Sequence, residues 1–175
     1  MKRIHSVFLG CLLLLSAGFV QASEHELNAR LILNQIKVLK TTERAGDELY
    51  FDISVYRPGQ STQYLRVPKQ PIHWPSGIIE RVKDVSVWTE TLKSGQAVTL
   101  IVSLIDSDRQ VLNPDDLIGS MQVELKNMDG ELHVSWSIPN RVEGPVTTVN
   151  QNEDVQKFEL RGRRGQYDVY LSLKK

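Results

Sequence analysis

An all-β fold is predicted, an antiparallel β-sandwich of about eight strands. Three observations predict it. Apolar and polar residues alternate with period two over most of the chain. Clusters of Gly, Pro, Asn and Asp separate the alternating runs at regular intervals. No long stretch keeps the 3.6-residue period of an amphipathic helix.

The first run, "LNARLILNQIKVLKT", has the length of a helix but mixed apolar spacing; its second half, Leu31 to Leu39, reads as a strand. "DELYFDISVY" places Leu49, Phe51, Ile53 and Val55 on one face and Glu48, Tyr50, Asp52 and Ser54 on the other. "VPKQPIHWPSGI" carries Pro68, Pro71 and Pro75 and reads as a loop or a sheet edge, because proline cannot donate to a ladder. "VSVWTETL" is a further strand. "QAVTLIVSLID" repeats the alternation with Val98, Leu100, Val102 and Leu104. "IGSMQVELKN" contributes Met121, Val123 and Leu125, and "ELHVSWSIP" contributes Leu132, Val134, Trp136 and Ile138. "DVQKFELRG" is a strand, and "GQYDVYLSLKK" closes the set with Tyr167, Val169, Leu171 and Leu173. Between them stand the turn signals "RAGD", "RPGQS", "KSGQ", "NPDD", "NMDG" and "RGRRGQ".

The N-terminus reads as an export signal. Lys2 and Arg3 precede an uncharged, mostly apolar run from Val7 to Val20, and Val20-Gln21-Ala22 fits the small-x-small cleavage rule. The run is shorter than the roughly 20 residues of a spanning helix. Residues 1–22 are therefore expected to be a cleaved signal peptide, and residues 23–175 a single domain, periplasmic or secreted, from a bacterial Sec substrate. The mature chain is expected to carry no transmembrane segment. Cleavage after Ala22 removes 22 of the 175 residues and leaves 153, enough for a real core. The only cysteine, Cys11, leaves with the signal, so the mature chain has no disulfide and no thiol chemistry. Of the 21 basic residues, 19 remain against 21 acidic ones, and a global nucleic-acid footprint is excluded.

One segment concentrates carboxylates. "IDSDRQVLNPDDLIG" holds Asp106, Asp108, Asp115 and Asp116 within eleven positions, between two strand-like runs. Such a group either coordinates a hard cation or is ordinary turn chemistry, since Asp, Asn and Pro are what turns use.

The alternating run into Asp106-Ser107-Asp108, and the restart Asp116-Leu117-Ile118-Gly119, resemble the third connecting loop of C2 domains. "ERAGDELYFDISV" is similar to the acidic first-loop element of that family, with Asp47 in the aspartate position and Tyr50 nearby. The resemblance implies a C2-like eight-stranded sandwich in which Asp47, Asp106, Asp108 and Asp116 converge at one pole and hold Ca2+. It further implies that Val111 and Leu112 dip into a phospholipid membrane surface. This sequence departs from the pattern in its longer third loop, which contains Pro114, and in lacking the earlier first-loop aspartate, where only Glu43 offers a charged oxygen.

Other groupings carry less. His25, His73 and His133 have no metal-ligand spacing, and no nucleophile elbow, P-loop or dinucleotide fingerprint occurs. No motif localises a catalytic group, so the chain is read as a non-enzyme. "RGRRGQ" brings Arg161, Arg163 and Arg164 into a hairpin that is either an anion clamp or a solvated basic turn. Trp74, flanked by prolines, is either a lid over the core or a contact for a partner. Two functions remain in view. One is an exported, non-catalytic module for calcium-dependent phospholipid binding. The other is a protein–protein adaptor, or envelope or secreted interaction protein, with purely structural aspartates.

Overall fold

A computed structural model describes residues 25–41, 43–44, 46–108, 114–139, 154–162 and 165–175. The signal-peptide expectation falls on residues outside this set. The described residues form β1 (Leu27–Lys40), β2 (Glu48–Tyr56), β3 (Gln63–Val67), β4 (Trp74–Pro75), α1 (Ser76–Ile79), β5 (Val85–Leu92), β6 (Ala97–Asp106), β7 (Asp116–Met128), β8 (Glu131–Ser137), β9 (Val155–Arg161) and β10 (Gln166–Lys174). One sheet has the order β5-β1-β10-β9. The other has β3-β2-β6-β7-β8, with β4 also paired to β2. Every pairing is antiparallel. The two sheets form a sandwich, as the alternation predicts.

Alternation along each strand fills the space between the sheets. On β6, Val98, Leu100, Val102, Leu104 and Asp106 are buried and the residues between them are half-exposed. Phe51, Ile53, Leu31, Leu33, Ile36, Met121 and Tyr167 are fully buried in the same core. β1 explains its own mixed spacing. Its register against β10 slips between Leu33 and Gln35, so the inward set changes from Leu31 and Leu33 to Ile36 and Val38 across Asn34. A bulge of this kind inserts one residue and reverses the faces beyond it. β1 also begins earlier than expected, at Leu27.

One core assignment is corrected. Val134 shares its strand face with Leu132, yet it is exposed. The sheet of four strands is narrower than its partner, and β8, the last strand of the wider sheet, lies beyond full cover. Trp136 keeps a neighbour there, its ring 5.7 Å from that of Phe158 on β9.

A buried amide ties one end of the sandwich. Asn127 is fully buried at the end of β7. Its Nδ2 donates to the carbonyls of His25 (2.7 Å) and of Leu92 (2.8 Å). Its Oδ1 accepts from the Gly130 N–H at 2.9 Å. The β7–β8 turn that follows uses positive φ at Asp129 (54°) and Gly130 (91°), the signature of a type I′ hairpin. One side chain therefore joins β5 and the segment before β1 to the β7–β8 hairpin of the other sheet. Asn127→Ala removes hydrogen bonds to three segments and leaves the buried Leu92 carbonyl without the amide donor. It is expected to lower unfolding free energy by about 3 kcal/mol in urea denaturation. A loss well under about 1 kcal/mol would show that the amide is not the tie described.

Candidate functional site

The opposite end gathers the acidic residues. Leu49 pairs with Asp106, and Asp106 pairs with Asp116. The start of β2, the end of β6 and the start of β7 therefore lie side by side, and the tips beside Gly46 and Pro114 share one pole.

The side chains at this pole turn to protein donors. Asp47 is buried, and its Oδ1 accepts the Glu43 N–H at 3.0 Å. Its Oδ2 accepts a short hydrogen bond from the Tyr167 hydroxyl, which comes from β10 in the other sheet. Its backbone N–H donates to Ser76 Oγ at 2.9 Å, and its carbonyl accepts the Ser76 N–H at 2.8 Å. Gly46 makes this approach possible. Its φ is +93°, and a Cβ there would stand 2.7 Å from Ser76 Oγ. Asp106 is also buried, and its Oδ1 accepts the Glu48 N–H at 2.9 Å. The next residue returns the bond, with the Ser107 N–H on the Glu48 carbonyl at 2.8 Å.

Asp108 is half-exposed and Asp116 is exposed. Asp115, not Asp116, closes the loop. It accepts the Tyr50 hydroxyl at 2.7 Å, the Asp108 N–H at 3.1 Å and the Ser107 hydroxyl at 3.4 Å. Val111 and Leu112, and likewise Arg163 and Arg164, lie outside the described residues. Arg161 is exposed and bonds Glu159 at 2.9 Å. Trp74 is half-buried with its ring edge-on to Phe51 at 6.3 Å, so it packs as a lid on the core.

Burial governs the electrostatics. Desolvation pushes the Asp106 carboxyl up to about 7, and the carboxylates of Asp47, Asp108 and Glu43 add to the rise. The Glu48 N–H opposes it. Burial, and then the bond to Asp47, hold the Tyr167 hydroxyl well above the ordinary phenol range. Calcium takes about six to eight oxygens, whereas both Asp47 oxygens and one Asp106 oxygen already accept from protein donors. Among the described residues, no group of three or more His, Cys, Asp or Glu is placed to hold a metal ion.

Along the flank, the edges of the two sheets part. β3 and β5 each pair on one side only among the described residues. Near Gln63 they are clasped. Arg57, just after β2, donates through Nε to Glu90 of β5 at 2.8 Å, makes a second short bond to that carboxylate, and reaches Gln63 Oε1 at 3.3 Å. Beyond the clasp lies a cleft of about 840 Å³ floored by Ile53, with Leu65 and Val67 on one wall, Val87 on the other, and Arg66 and Lys69 at the rim. Arg66 is held by its neighbours. Its guanidinium carbon lies 3.4 Å from the Tyr50 ring centroid, and its Nη2 is 2.6 Å from His73 Nε2, which must accept because Arg only donates. Arg66 Nε is buried and has no hydrogen-bond partner among the described residues. The sequence does not mark Asp115, Tyr167, Ser76 or Arg66 as site residues. Only the Asp115-Asp116 doublet and the nearness of Tyr50 to the first loop point at any of them.

Fold and site together define an antiparallel β-sandwich with a polar clasp at one pole and an open cleft along one flank. No protein-family model matches the sequence, and no curated protein matches it. Among solved structures, a C2 domain of a plant extended synaptotagmin 1 is similar, with a TM-score of 0.38 and 12% identity. The match covers 84% of this chain and 93% of that one.

The Asp106 carboxyl yields a pH prediction. Its folded value lies above the ordinary 3.8, so the native state holds the proton more tightly than the unfolded chain. This contribution is most favourable below about pH 4, declines as pH rises towards about 7, and is constant above. Asp106→Asn keeps the acceptor for Glu48 and removes the charge. Its melting temperature is expected to match the parent's near pH 4 and exceed it increasingly up to pH 7. A gap between the two proteins that does not change with pH would contradict the assignment.

Proposed function

We propose that this chain is an exported, non-catalytic binding module that takes a protein partner along the flank between β3 and β5. In this reading the acidic pole serves the fold. The observation that carries it is the commitment of Asp47 and Asp106 to internal donors, together with a cleft between β3 and β5 lined by Leu65, Val67 and Val87, with the exposed Lys69 at its rim. One large side chain stands exposed at that cleft, Tyr64, at 76%. Isolated exposed apolar residues are common on soluble proteins; a position beside a concave edge lined by Leu65, Val67 and Val87 is what points to a contact surface.

The second reading is the calcium-dependent, phospholipid-binding module implied by the C2-like loops. One observation favours it. Three carboxylates act on Asp106 and raise its pKa, and a cation at the pole would relieve that repulsion.

Two measurements separate these readings. A photoreactive benzoylphenylalanine is placed at Tyr64 or, as control, at Lys157 on β9, in the chain expressed with its leader. Discrete adducts at position 64 and none at 157 are expected; adducts at neither position count against the flank. Melting is then followed with millimolar calcium. A ligand present at 100 times its Kd stabilises the folded state by ~2.7 kcal/mol. No shift is expected. A rise that disappears in Asp106→Asn would transfer the function to the acidic pole, with phospholipid vesicles as the next ligand.

A further inference from the structure

We infer that the partner segment is an extended polypeptide that adds as a strand to the free edge of β3, with alternate side chains entering the cleft against β5. The inference rests on the binding-module reading and specifies its mode. An edge strand directs every second residue's N–H and C=O away from its sheet, and these groups are a template for another strand. β3 carries such an edge, and its register with β2 runs without a bulge from Val55–Gln63 to Phe51–Val67. The other edges are less suited. β9 presents the charged Lys157, Glu159 and Arg161, which are bonded among themselves. On β8, Trp136 packs against Phe158 of β9, the edge strand of the opposite sheet, so that side is filled by a ring contact.

The cleft fixes what such a segment carries. Side chains that point inward from an added strand would meet Leu65, Val67, Ile53 and Val87, so small or branched apolar residues at every second position fit. The Arg57–Glu90 clasp stops the strand at the Gln63 end. At the other end stands Lys69, exposed and with no ion pair among the described residues. Asp52 also lines the cleft; burial raises its pKa, and the Arg66 guanidinium opposes that rise. The remaining cationic character selects an acidic side chain at that end of the segment.

The test uses the purified chain and a displayed library of random peptides of roughly ten residues, long enough to span a strand. Recovered peptides are expected to alternate apolar residues and to carry an acid near one terminus. Backbone N-methylation then reports the mode. Methylation at every second position should weaken binding about tenfold or more, and at the intervening positions by less than about twofold. Hydrogen exchange should slow at residues 63–67. Lys69→Glu, an exposed substitution that spares the fold, should weaken the acidic peptides and leave neutral variants unchanged. Peptides that bind without alternation, or that protect the acidic pole or β9 instead, overturn strand addition while leaving a binding module in place. A library that yields no binder overturns strand addition too, and the crosslinks at position 64 then decide the wider reading on their own.

Discussion

The Tyr167–Asp47 hydrogen bond is the constraint on which this end of the molecule depends. Tyr167 belongs to the inner strand β10 of one sheet, and Asp47 precedes β2 of the other. Apolar packing between sheets is non-directional and leaves their ends able to slide or part. A buried phenol donating to a buried carboxylate has direction, and separating the pair would strand both groups in a low-dielectric interior. Asp47 extends the restraint to the Glu43 turn and to Ser76 at the start of α1. Asn127 does the same at the far pole, between β5, the segment before β1 and the β7–β8 hairpin. The sandwich is thus pinned at both ends by polar groups and filled between them by aliphatic ones.

That arrangement bears on function. Carboxylates at loop tips are attractive ligands for a hard cation, but an oxygen that accepts a buried N–H or O–H has its orientation set by that donor and one lone pair fewer to offer. In the reading proposed above, the acidic pole is part of the fold, and burial is the largest cause of the raised Asp106 carboxyl. With both poles pinned, the sheets remain apart along the flank between β3 and β5 among the described residues, held at one end by Arg57 and Glu90.

Much of the fold is legible in the sequence because period-two alternation records burial directly. Leu49 to Val55 and Val98 to Leu104 occupy the inner face as their spacing requires. β1 resists because its bulge at Asn34 reverses the apolar phase midway, which averages out any single period. β3 escapes detection because "QYLRV" is short and edge-placed, and half-exposed residues leave little pattern to read. The pole itself is legible, since Asp47 and Asp106 lie at the ends of adjacent strands. Which carboxylate turns inward is not. Asp115 and Asp116 are chemically alike, and the choice between them rests on Tyr50, far away in sequence. Asn127 reads as one more turn residue, although its burial makes it a tie.

The most direct test of this account is a double-mutant cycle on the Tyr167–Asp47 pair, with stability measured by urea denaturation of the parent, Tyr167→Phe, Asp47→Asn and the double variant. If the pair joins the sheets, the single losses will not add, and the coupling will be about 1 kcal/mol or more. Strict additivity would mean that the two groups stabilise the fold separately, and the structural role given to the acidic pole would fail.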